Sequence, residues 1–171
     1  MSTGALQFDH MRGFWSPQTV AFSPDGTSAY IGLQQESGRS STAGLVKVSV
    51  RTGKIESGIA LGQGGVGNVV VAPDGTKAFV SVQVDVKGVY SGVFAIVPVE
   101  TETLQPHRSI VVGDVQGLGV LQFGSDRTLL AVDTQWRIAT VAEQTDRIVA
   151  ASKVPVPSLL AATLKPISFR G

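Results

Sequence analysis

The sequence predicts an all-β chain of repeated four-stranded antiparallel units, three of them within 171 residues. Three observations lead there. Apolar runs are short, rich in Val and Ile, and separated by turns containing Gly or Pro. Nearly the same words recur: "SPDGTSAYI" from Ser23, "APDGTKAFV" from Ala72 and "GSDRTLLAV" from Gly124, at offsets of 49 and 52 residues. Long stretches with apolar residues at helical spacing are missing. Ser158 to Leu164 is the only helix-friendly stretch, and it is confined between Pro157 and Pro166.

Each repeated word is a hairpin signal. Pro presets φ at the first corner, Asp bonds its own backbone, and Gly accepts positive φ. The third copy keeps Ser125-Asp126-Arg127 but lacks the Pro and Gly. First strands precede the turn: "TVAF", "NVVV" and "VLQF". Second strands follow it: "SAYIGL", "KAFVSV" and "LLAV". A second register aligns "KVSVRTGKI" from Lys47, "IVPVETETL" from Ile96 and "TVAEQTDRI" from Thr140, with Thr52, Thr101 and Thr145 coinciding. It supplies the third strands "GLVKVSV", "GVFAIVPV" and "WRIATVA". Beyond the second polar turn come the fourth strands "IESGIAL", "LQPHRSIVV" and "RIVAAS". Gly-rich joins, "LGQGGVGNVVV" and "VGDVQGLGVLQF", link one unit to the next.

Four short strands per period of 44 to 52 residues indicate the blades of a β-propeller. The expected division is an N-terminal arm at 1–17, three blades at 18–152 (18–61, 68–112 and 119–152), and a C-terminal tail at 153–171 offering a possible extra strand. "VVVAPDGTKAFVS", "SGVFAIVPVETETL" and "VVG" together resemble the YVTN-type β-propeller repeats, within the lactonase-like propeller superfamily. The resemblance covers roughly Gln18 to Ser152 and is carried best by Pro24-Asp25-Gly26-Thr27 and Pro73-Asp74-Gly75-Thr76. Tyr30-Ile31-Gly32-Leu33 and Phe79-Val80-Ser81-Val82 stand where the family's name-giving tetrapeptide would fall.

Composition excludes several function classes. Apolar residues make up 43% and charged residues 16%, enough for a core and unlike a disordered chain. The net charge of +1 offers no basic field for nucleic acid. Cysteine is absent, so thiol chemistry and Cys-ligated metals are out. No apolar run reaches the length of about 18 residues that a membrane helix needs, and no signal peptide is recognisable. Neither nucleic acid nor membrane is expected as a partner, no cofactor is expected, and localisation stays open.

Three blades do not close a ring, since propellers usually have about four to eight. An open arc leaves two apolar faces bare. Three solutions stand: a homodimer of two arcs, further blades elsewhere in a longer surface protein, or capping by the terminal segments. Self-association is the preferred expectation.

The resemblance places ligands near the ring axis, on the end bearing the joins into the first strands and the turns from second to third strands. Glu36, Arg39, Asn68, Asp85, Asp114, Gln116 and Asp133 fall in those loops, and Trp136 opens a third strand beside them. Asn68, Asp85, Asp114, Gln116, Asp133 and Trp136 are the candidate ligand-binding residues. Convergent oxygens there could hold a ligand or a hard cation; solvated loop residues are the commoner outcome. No catalytic residue and no metal ligand is assigned. Asp25, Asp74 and Asp126 read as turn formers. His10 and His107 lack a second His at ligand spacing, no G-x-S-x-G elbow occurs, and "GQGGVG" is followed by a strand rather than the helix a phosphate loop requires. The expected function is a non-catalytic binding or scaffold module for a protein or small-molecule ligand. The alternatives are a lactonase-like hydrolase using a metal held by Asp85, Asp114 or Asp133, and a structural repeat fragment of a larger surface protein.

Overall fold

The computed structural model describes residues 14–38, 40–86, 89–114, 120–124, 127–132, 137–142 and 145–153. Every regular element among them is a β-strand, and all pairing is antiparallel. The strands are β1 (Ser16–Phe22), β2 (Ser28–Ser37), β3 (Ser40–Ser49), β4 (Ile55–Val71), β5 (Lys77–Val86), β6 (Val89–Glu100), β7 (Ile110–Asp114), β8 (Val120–Phe123), β9 (Thr128–Val132), β10 (Arg137–Ala142) and β11 (Arg147–Lys153). They form a seven-stranded sheet, β1 to β7 in order, and a four-stranded sheet, β8 to β11.

The seven-stranded sheet is two four-stranded groups that share β4. The first half of β4 pairs with β3, ending at Thr42↔Gln63, and the second half pairs with β5 from Gly64↔Val84. The change of partner occurs where Gly62 and Gly64 adopt φ of 113° and 137°, which side-chain-bearing residues rarely adopt. The first Gly-rich join, "LGQGGVGNVVV", is therefore unbroken strand where a turn between units was expected. A chain bent at glycine can leave one ladder and enter the next without exposing its backbone groups.

The strands pack by alternation. One apolar cluster joins the first group to the second through Tyr30, Leu45, Val66, Val69, Val80 and Val99. Another joins the second to the third through Phe79, Ile96, Ile110, Leu121, Leu129 and Val141. Phe79 meets Phe123 edge to face, with ring centroids 5.5 Å apart. Tyr30 donates its hydroxyl to the Thr101 carbonyl across the first interface, at 3.3 Å, and burial there pushes the phenol above its ordinary value.

The two outermost faces differ from these packed ones. On the first group Leu33 and Val46 are buried with Trp15 against them, while Val20 and Phe22 remain 52% and 60% exposed. On the third group, Val120 and Leu130 lie on the face opposite the interface cluster and are 60% and 38% exposed. Of the expected arm, Phe14 is exposed and Trp15 packs on the first group. His10, the stretch 158–164 and the rest of the tail from 154 lie outside the described residues.

The structure corrects the second register of the repeat. Gly53, Leu104 and Asp146 share one left-handed turn position, with φ of 66°, 55° and 50°. Each N–H donates to the carbonyl four residues back, on Ser49, Glu100 and Ala142. Thr52 therefore corresponds to Thr103 and Thr145, and the hydroxyls of Thr52 and Thr103 accept from the N–H groups of Lys54 and Gln105. Thr101 instead matches Val50, since their N–H groups donate to the Thr76 and Thr27 carbonyls. The cause is hairpin length: Lys77 pairs with Glu100 where Ser28 pairs with Ser49, a separation larger by two residues, which an ungapped alignment cannot absorb.

Candidate functional site

Of the sequence-predicted ligand residues, Asp85 and Asp114 lie toward the end of the sheet where β5 turns into β6, and Asn68 lies further along, at the level of Ser81. Asn68 sits half-buried in a bulge of β4. Its N–H donates to the Ser81 hydroxyl at 2.7 Å, so part of its role is to pin the inner strand to its neighbour. Asp85 lies on β5 opposite Tyr90 of β6, and Asp114 ends β7 opposite Val93. Asn68 is thus on the innermost strand of its group and Asp114 on the outermost. Three strand spacings separate them, on the order of 14 Å. Glu36 is exposed on β2. Gln116, Asp133, Trp136 and Arg39 lie outside the described residues.

Ser81 is fully buried, and its hydroxyl is what satisfies the bulged N–H. Ser81→Ala would leave that donor buried and unpaired, at a cost of about 1–3 kcal/mol. Denaturant titration of the two proteins should show this loss with an unchanged slope; equal midpoints would mean another acceptor serves Asn68.

The opposite end, with the Asp-containing turns, holds the more connected chemistry. Among the described residues, a cleft opens there at each interface between groups. The smaller, about 320 Å³, lies between the first and second groups and is lined by Asp25, Tyr30, Lys47, Asp74, Thr101 and Glu102, among others. The larger, about 680 Å³, lies between the second and third groups and is lined by residues of 107–111 and 145–148.

Beside the larger cleft four titratable side chains form one chain of contacts. Lys77 Nζ donates to both oxygens of Asp146 at 3.0 Å. His107 Nδ1 lies 3.2 Å from Asp146 Oδ2, and its Nε2 lies 2.6 Å from Glu100 Oε1. Lys77 and Asp146 are largely withdrawn from water, with side chains 16% and 17% exposed. Each is positioned by its backbone: Lys77 and Glu100 face each other at the start of the β5–β6 pair, and Asp146 holds the left-handed turn position between β10 and β11. His107 was expected within a fourth strand; it lies instead in the connection before β7, its N–H donating to the Pro98 carbonyl at 2.8 Å. The Pro106 bridge to Val99 delays the strand until Ile110.

Among the described residues, the contacts of the His107 ring are the carboxylates of Asp146 and Glu100. The members of the cluster come from the second and third groups, and the arrangement ties the two together. Sequence reading missed it because Asp146 is some forty residues from His107. The available signal was an Asp in the turn position that Gly53 occupies in the first unit.

A second tie lies nearby. Arg127 occupies the turn position of Gly26 and Gly75, with φ of 62° against 70° and 77°. Left-handed backbone costs a non-glycine residue roughly 1 kcal/mol. In exchange its guanidinium pairs with Asp74 of the preceding hairpin. Asp74 is held below the usual 3.8, first by the N–H and hydroxyl of Thr76 and then by Arg127. A lowered folded-state value means that the ionised carboxylate stabilises the fold above 3.8 and that this contribution is lost as pH falls through the lowered value. Asp74→Asn should therefore be less stable than the parent near neutrality, with the gap closing under strong acid. Urea titrations at about pH 7 and about pH 2 check this; a gap of the same size at both would show that the charge contributes nothing.

No family model matches the chain, and no curated protein matches it. Solved structures do. BamB from Moraxella catarrhalis is similar with a TM-score of 0.60 at 20% identity, over 81% of this chain and 37% of that one. The β-propeller domain of the Trilobed protease from Pyrococcus furiosus, which has an open velcro topology, gives 0.60 at 14%, over 84% and 44%. The RRP9 WD40 repeats give 0.64 at 15%, over 84% and 40%. The chain spans less than half the length of each of these three. At such identities the likeness is one of fold: this chain has the β-propeller fold, over part of a ring's length.

Proposed function

We propose that the chain is a non-catalytic binding or scaffold module, an arc of three YVTN-type blades (18–61, 68–112 and 119–152) whose ring is completed by self-association. The observation that carries this is the pair of apolar end faces, with Val20 and Phe22 exposed on one and Val120 and Leu130 on the other. Inside the arc the corresponding faces are packed against neighbours. Two arcs meeting end to end would cover both. This chain covers 37% to 44% of three propeller structures, so a ring of their size needs more than one such arc.

On this reading the ligand end carries Asn68, Asp85, Asp114, Gln116, Asp133 and Trp136, and the ligand is a protein or small molecule. The spread of Asn68 and Asp114 from innermost to outermost strand supports a recognition surface over a single metal centre. Light scattering on a sizing column tests the closure. A mass of two chains is expected, falling to one chain when Phe22 and Leu130 are both changed to Asp. A compact monomer at all concentrations would overturn self-association and favour an arc completed by other chain segments.

A further inference from the structure

We propose that the larger cleft is a docking groove for an extended acidic segment of another protein. The cleft lies at the rim, between the outermost strands of the second and third groups. β7 ends the seven-stranded sheet and β11 ends the four-stranded one, so among the described strands each has a neighbour on one side only. Residues 109–111 and 147–148 line the groove from these two edges. An unpaired strand edge offers its backbone N–H and C=O groups as a template for another strand.

The charge pattern selects the occupant. Arg108 and Arg147 both line the groove and are both exposed. Among the described residues, neither guanidinium has a hydrogen-bond or ion-pair partner. The carboxylates nearby are engaged: Asp146 by Lys77 and His107, and Glu100 by His107. Two free guanidiniums, each able to grip a carboxylate with two N–H groups, thus flank the cleft. The lining also includes two exposed apolar side chains, Val111 at 60% and Ile148 at 39%. A segment with an apolar residue between two acidic ones would satisfy both features. This chain's own tail is a poor fit, since no Asp or Glu follows Asp146 in the sequence.

The inference deepens the binding-module reading but does not depend on how the ring closes. The test uses the full chain and a fluorescein-labelled peptide of alternating Glu and Val, read by anisotropy. Its controls are the same peptide with Lys for Glu, and one N-methylated at alternate residues. The acidic peptide should bind, more weakly as salt is raised, and Arg108→Ala with Arg147→Ala should weaken it about tenfold. Arg108→Glu with Arg147→Glu should shift the preference to the Lys peptide. Binding that ignores both double variants, or a Lys peptide that binds the parent equally well, would overturn the proposal. Undiminished binding of the N-methylated peptide would overturn the strand-pairing mode. Self-association abolished by the Glu variants, with no peptide bound, would put a second copy in the groove and overturn it too. A monomer that binds the peptide keeps this inference and loses ring closure; a dimer that binds none does the reverse.

Discussion

Phe79→Ala is expected to cost about 3–5 kcal/mol, a large part of the stability of a single domain. Phe79 is fully buried. It projects from β5 into the interface with the four-stranded sheet, where it meets Phe123 and shares a cluster with Ile96, Leu129 and Val141. Truncation removes the ring's transfer free energy and leaves a cavity between two sheets that sit on separate hydrogen-bonded ladders. Those sheets cannot close the gap without shifting as bodies, because each is held together by its own backbone bonds. Urea titration should show a lower midpoint. Leu at the same position should recover more than half of the loss, since it refills most of the volume. A loss below about 1 kcal/mol would mean that the interface is looser than its burial implies.

Gly32→Val is the second large effect, and it works by excess rather than deficit. A Cβ at Gly32 would meet Val66 Cγ1 at 2.7 Å, Thr19 Cγ2 at 2.8 Å and Val69 Cγ2 at 3.0 Å. Real Cβ atoms do not approach other carbons so closely. The neighbours are β-branched and held in one rotamer, so they cannot swing aside. Gly32 lies on β2, while Val66 and Val69 belong to the part of β4 that has joined the second group. The glycine is what lets β2 of the first group approach the stretch of β4 that serves the second. Valine there should cost about 1–3 kcal/mol or more, by forcing the two groups apart. Val66→Ala in the same protein should relieve part of it. Independent, additive losses in the double variant would show that the close approach is not the cause.

These two sites show what the sequence made legible and what it did not. The hairpin turns at Pro24-Asp25-Gly26 and Pro73-Asp74-Gly75 announce themselves, because turn chemistry is local. The Val-rich runs between them give strands, because alternation is local too. Gly32 looks like any glycine in a strand; its reason is Val66, on another strand and another group. The Thr52–Thr101 match fails for a related cause. Two residues inserted into a hairpin move every later position, and a coincident Thr hides the slip. The cluster of Lys77, Glu100, His107 and Asp146 needs the relative placement of the second and third groups, which no single period contains. The predicted ligand residues fare differently. Asn68 is partly explained by its bulge, Asp85 and Asp114 are placed on their strands, and Gln116, Asp133 and Trp136 fall outside the described residues.

The unbroken β4 separates the genetic repeat from the thermodynamic unit. A repeat of this kind suggests a module that can be lost or duplicated alone. Yet Ile55–Val71 is at once the last strand of one group and the first of the next. Detaching either group strips a ladder from the other, so the first two groups should melt as one cooperative body. The four-stranded sheet has its own ladder and touches that body through side chains. Local opening in this chain has its natural seam there, at the interface of Phe79, Asp146 and Arg127, rather than at each period of the sequence.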